Sequence, residues 1–226
     1  MNALQIQGDI AVATLLVAVV VLLLGFVGQR RPTDGVPNGV RLLWEMSIGA
    51  ADRAAGAVPT RIRSRVVGTA VTLFWFVAIA NWLHLIPGSG LRAPTSDINL
   101  ALALAAVAMG AVHFTALQVR GVRGYARYYL SPWWLAPFKL LEELIKPLTL
   151  ALRLFGMVFA SALMIVLIGE ILPAPAAILP HVLWTLFDVF VGAIQAFIFA
   201  LLTLLYFQVV LPEAAPSPEP STERGQ

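Results

Sequence analysis

Lys146-Pro-Leu-Thr-Leu-Ala-Leu-Arg153-Leu-Phe-Gly-Met-Val-Phe-Ala-Ser-Ala-Leu-Met-Ile-Val-Leu-Ile-Gly169 settles what kind of chain this is. Between Arg153 and Glu170 no ionisable side chain interrupts the run. A bilayer core takes roughly 20 apolar residues in helical form, and this segment supplies them. Working outward, the same pattern recurs at about 10–27, 66–86, 99–119 and 182–211, and the quoted run itself extends over about 138–172. The composition agrees: of 226 residues 59% are hydrophobic and 12% charged, and the mean hydropathy is +0.85. A soluble domain carries about 25% charged residues. This excludes a soluble enzyme, a nucleic-acid binder and a disordered scaffold. The sequence therefore predicts an all-α integral membrane protein lying in the lipid bilayer, with one transmembrane domain over 1–211 and a disordered Pro/Glu/Ser-rich tail over 212–226. The last two helices exceed a perpendicular span, which implies strong tilt or a bend. Pro147 is placed to kink the start of the fourth span without breaking its later turns.

The net charge of +3 comes from arginines beside the apolar runs rather than from a patch suited to nucleic acid. Residues 28–65 hold Arg30, Arg31, Arg41, Arg53, Arg61, Arg63 and Arg65, and residues 120–137 hold Arg120, Arg123 and Arg127. The alternate connections are poor in base: 87–98 holds Arg92 against Asp97, and 173–181 holds neither Lys nor Arg. The positive-inside rule then places the N-terminus outside and the C-terminus in the cytoplasm. In the first run the charge follows the apolar stretch, the reverse of a signal peptide, so the run reads as a retained anchor. Residues 38–55 have amphipathic spacing and predict one interfacial helix. Tyr128 to Pro137 reads as an aromatic belt at headgroup level. The absence of cysteine excludes thiolate chemistry, iron–sulfur clusters and disulfides.

Ionisable groups at membrane depth mark function, because each costs about 2.5–3.5 kcal/mol on insertion scales. Arg153 is the strongest case, since a guanidinium does not lose its proton. Glu142, Lys146 and Thr149 lead up to it at helical spacing, with Glu143 beside them, and Met157 and Ser161 continue the stripe beyond. In the last run Asp188 and Gln195 lie seven residues apart on one helix face. An antiparallel arrangement would bring Gln195 beside Arg153 and Asp188 nearer the outside, where Asp97 and Asn99 extend the polar path. Glu170 and His181 read as surface groups, and His84 and His113 as interfacial or core histidines. The histidines and carboxylates lack metal spacing and there is no Gly-rich phosphate loop, so no cofactor is expected. A fixed cation between two polar half-paths suits ion transfer to carboxylates on a moving partner. The cation favours ionisation of an empty partner carboxylate and blocks direct leak.

At these residues the sequence resembles subunit a of the F-type ATP synthase membrane sector. Lys146-Pro-Leu-Thr-Leu-Ala-Leu-Arg-Leu-Phe-Gly156 is similar to the family's Lys-Pro-x-Ser-Leu-x-Leu-Arg-Leu-Phe-Gly-Asn, and Gln195-Ala-Phe-Ile-Phe199 to its Gln-Ala-Phe-Ile-Phe. Pro94-Thr-Ser-Asp97-Ile-Asn99 looks like its Pro-x-x-Asp-x-Asn, and Asn81-Trp-Leu-His-Leu-Ile-Pro87 like its Asn-x-x-x-Leu-x-Pro. The resemblance runs in order over about 8–211. It implies a stator in a bacterial plasma membrane, with two tilted helices cupping a ring of c subunits and a peripheral stalk of b subunits. Two offset half-channels would carry protons or sodium ions, with Arg153 between them, and couple ion flow to ATP synthesis or hydrolysis in the rest of the complex. The chain would have no catalytic site of its own.

Three positions depart from the family pattern: Met157 replaces Asn, Ala162 stands where many bacterial members have Glu, and Asp188 where His or Glu is usual. The last two together suggest a relay carboxylate exchanged between facing helices. Met157 and Ala162 suit a divergent branch such as an alternative sodium-type ATPase. The rival class, a stand-alone ion-coupled secondary transporter, would predict inverted repeats and paired broken helices, and neither is evident.

Overall fold

The computed structural model describes residues 3–29, 39–83 and 94–211, and they are built from helices. In chain order these are α1 (Ala3–Gln29), α2 (Gly39–Ala54), α3 (Thr60–Leu83), α4 (Ile98–Leu130), α5 (Ala136–Ile171) and α6 (Ala174–Val210). Short 3-10 turns over Pro94–Ser96 and Trp133–Leu135 precede α4 and α5. All but α2 are long and apolar enough to cross a membrane, which gives five candidate spans among the described residues. At about 1.5 Å per residue, α5 and α6 run roughly 55 Å against a hydrocarbon core of about 30 Å. The expected tail over 212–226, Arg30, Arg31, His84 and Arg92 all lie outside the described residues.

The central core joins α3, α4, α5 and α6. Small residues line it (Ala78, Ala101, Ala105, Ala108, Ala151, Ala196), letting helix backbones approach, with Leu73, Leu150, Leu154 and Phe199 filling the space between. A second cluster ties the start of α3 to the ends of α4 and α6, through Val66, Val71, Val112, Ala116, Leu204 and Phe207. Ala13, Val17 and Val21 hold α1 against Ala80 and Leu83, while Leu15, Leu22 and Phe26 face outward as lipid-exposed side chains do. The amphipathic reading of 38–55 matches α2: Leu42, Leu43 and Met46 are exposed, and Trp44 is buried, stacked on Trp75 at 6.4 Å. Trp44 also requires Gly28, where an added Cβ would lie 2.5 Å from its Cδ1.

Two connections differ from the sequence expectation. The span expected to end near 119 continues to Leu130, so much of the predicted 120–137 loop is helical. Gly121, at φ 70 and ψ 162, breaks the axis in a conformation open to glycine, and the helix resumes beyond it. The expected 173–181 loop shrinks to Leu172 and Pro173, and α6 begins at Ala174. A proline is tolerated in a first helical turn because the N–H it lacks has no partner there, so Pro175 does not delay the start. Pro147 lies inside α5, in its first third.

Helix ends are closed by side chains from neighbours. Arg120 Nε donates to Val210 O at 2.7 Å, Tyr128 Oη to Val209 O at 3.2 Å, and Gln208 Nε2 to Ala54 O at 2.6 Å. Lys139 Nζ donates to the carbonyls of Tyr128 and Ser131 at 2.9 and 2.7 Å. These bonds satisfy carbonyls that have no intrahelical donor. They also gather α2, the start of α3, the end of α4 and the end of α6 at one end of the bundle, the end that holds the arginines.

Candidate functional site

On α5 the side toward the bundle buries Leu150, Ala151, Leu154 and Val158. Arg153 is on the opposite side, exposed beside Leu152, Gly156 and Phe159. It forms no ion pair or hydrogen bond among the described residues. Lys146 Nζ stands 5.6 Å from the centre of the Tyr206 ring and so fixes the antiparallel register of α5 and α6. Counting seven residues from each brings Arg153 level with Phe199, whose cluster includes Leu154 and Ala196. Gln195 lies one turn further along, buried at 6% exposure, and its Nε2 has no hydrogen-bond partner among the described residues.

Beyond this level, toward the α5–α6 connection, the buried polar groups accumulate. Asp188 is 4% exposed, and Ser161 is buried with its Oγ unpartnered. The same register brings Ser161 within a turn of Asp188. The end of α3 crosses α6 here: Trp82 Nε1 donates to Val189 O at 3.0 Å, and a Cβ on Gly192 would lie 3.5 Å from that of Asn81. Asn81 is itself buried, accepts from Thr95 Oγ1 at 3.0 Å, and leaves its Nδ2 unpartnered. A buried donor without a partner costs about 1–3 kcal/mol. Three of them gathered among the end of α3 and the facing stretches of α5 and α6 mark a place suited to hold polar matter.

Toward the arginine-bearing end a different set forms. Lys146 Nζ lies 3.2 Å from both Glu142 Oε1 and Glu143 Oε2. Glu143 Oε1 is 3.1 Å from His113 Nε2 on α4, and Tyr125 Oη is 3.1 Å from His113 Nδ1. Tyr125 reaches His113 because the chain bends at Gly121, and Tyr129 packs on it at 4.9 Å. The result is a row of polar contacts running from α4 to α5.

The structure thus rearranges several sequence-predicted residues. Arg153 and Ser161 do not share a stripe: eight residues advance the helix about 80° past two turns, which takes Ser161 into the core and leaves Arg153 outside. Glu142 and Thr149 are exposed, the first paired with Lys146 and the second donating to Lys146 O at 3.0 Å. Asp97 is the N-cap of α4, accepting from Asn99 N at 2.7 Å, and Asn99 is exposed. Glu170 and His181 are on the surface as expected. His113, read as a core or interfacial histidine, is half-buried on α4 and lies beside Glu143. Asn81, Thr95 and Tyr125 join the site without having been singled out as site residues.

Known proteins match this chain over nearly its whole length. The family model described as ATP synthase A chain matches residues 11–208. The ATP synthase subunit a of Acidothermus cellulolyticus is 40% identical over 204 residues, covering 88% of this chain and 75% of the relative. That of Mycobacterium ulcerans is 38% identical over 218 residues, covering 90% and 87%. That of Listeria monocytogenes is 35% identical over 198 residues, covering 79% of each. With five apolar helices and this likeness along its length, the chain belongs to the subunit a family, a multi-pass membrane component of the F-type ATP synthase.

Proposed function

We propose that this subunit a is the stationary ion path of its complex, with two offset half-paths separated by Arg153. The observation that carries this reading is an arginine at membrane depth on an open apolar helix face, without an ion pair among the described residues. A cation so placed needs its counter-charge from another chain. The carboxylates of a c-subunit ring passing along α5 supply it, one after another. Asn81, Thr95, Ser161, Asp188 and Gln195 line the outer half-path, and water satisfies their unpartnered donors. Glu143, Lys146, Glu142 and His113 line the inner one, with Thr149 at its edge. An ion entering from outside neutralises a ring carboxylate, which can then leave Arg153 for the lipid. After most of a turn the ion departs by the inner path, and Arg153 favours the emptied, ionised carboxylate. Each charge crossing delivers about 2.3 kcal/mol per 100 mV to rotation.

The arginine-rich end is the cytoplasmic end of the molecule in a bacterial plasma membrane, which leaves the N-terminus outside and the C-terminus inside. A stalk of b subunits holds the chain against the torque. ATP-driven ion pumping by membrane vesicles carrying Arg153→Gln tests the reading. Pumping is expected to fall about 100-fold or more with the complex still assembled. Pumping within twofold of wild type would refute it.

A further inference from the structure

Between the first turns of α3 and the later half of α4, at the arginine-bearing end, lies a groove of about 270 Å³ lined by Pro59, Arg61, Ile62, Arg65, Gln118 and Val119. Arg61 and Arg65 are four residues apart, so they rise from one helix face and repel each other. Both are exposed. Among the described residues the Arg61 side chain forms no hydrogen bond or ion pair, and the one side-chain bond of Arg65 is a long 3.5 Å contact to Gln118 Oε1. Asp52, on α2, is already engaged: it accepts from Arg63 Nε at 2.7 Å through Oδ1 and from Arg63 Nη2 at 2.6 Å through its carbonyl. No acidic residue lines the groove.

We propose that this groove binds the headgroup of an anionic phospholipid. Two guanidinium groups on one face match the oxygens of a phosphodiester, whose charge removes their mutual repulsion. Pro59, Ile62 and Val119 give the other half of the lining an apolar surface, which suits a glycerol and the start of an acyl chain better than a free ion in water. The groove sits where α3 enters its apolar stretch at Val66, at the depth where a headgroup meets hydrocarbon. Basic pockets between membrane helices on the cytoplasmic side are suited to such headgroups.

The test uses the assembled complex in phosphatidylcholine vesicles doped with photoactivatable phosphatidylglycerol, with crosslinks mapped along this chain. Labelling is expected around 59–65 and 118–119, and photoactivatable phosphatidylcholine is expected to label this site at least about fivefold less. Arg61→Gln with Arg65→Gln is expected to abolish the difference. Arg123→Gln with Arg127→Gln removes the same charge from exposed positions outside the groove and is expected to leave it intact. Equal labelling by the two lipids in wild-type complex, a measurement that needs no variant, would overturn the proposal. So would an equal loss in both double variants, which would show general attraction to charge. Displacement of the labelled lipid by inorganic phosphate would show that the groove takes the free anion, and would overturn it too.

Discussion

Arg153 and Ser161 stand on one helix and face different surroundings, one open and one closed. The working groups divide along that line. In the proposed mechanism the exposed arginine meets the passing ring, while Asp188, Gln195 and Ser161 are buried and serve the ion path. Replacing Asp188 by Asn keeps the shape and removes the charge. ATP-driven transport is then expected to fall about tenfold or more, and unchanged transport would remove Asp188 from the path. At the other end, Glu143→Gln breaks contacts to both His113 and Lys146 and should cut transport severalfold. Glu142→Gln, at an exposed i,i+4 pair, should leave transport within about twofold. Arg153, Asp188 and Gln195 are legible in the sequence because a polar group in an apolar run stands out whatever its partners. His113 and Thr95 are not, because their meaning lies in partners on other elements, Glu143 and Asn81. The spacing of His113 and Tyr125, twelve residues across a glycine, was the one available signal, and it becomes readable only once the bend at Gly121 is known.

Apolar run length located all five long helices, because a bilayer imposes that length directly. It misplaced the connections around α4 and α6, because charge and aromatic content past α4, and prolines at the start of α6, look like loop even where helix is present. Gly121 has the decisive local role. An Ala there would meet a strain of about 1–3 kcal/mol at the observed φ, or would straighten α4 and carry Tyr125 away from His113. Gly121→Ala is therefore expected to lower the thermal stability of the purified complex and its transport together. Gly110→Ala, where an added Cβ meets nothing within 4 Å, should change neither. If the two variants behave alike, the bend is incidental.

At the scale of the whole molecule, one end is basic and tied together by Arg120, Gln208 and Tyr128, and the other holds the buried polar set. The chain has no cysteine, so a single introduced one reports its side of the membrane cleanly. Ser217→Cys should react with an impermeant maleimide only from the cytoplasmic face and Glu170→Cys only from outside, and the reverse pattern would invert the orientation. Arg153 is proposed to keep two half-paths from joining. Passive ion leak through complexes stripped of their ATP-forming head, reconstituted in liposomes, tests it most directly. A leak is expected in Arg153→Ala that is absent from wild type and is suppressed when Asp188→Asn is added. A tight Arg153→Ala complex, or a leak indifferent to Asp188, would contradict it.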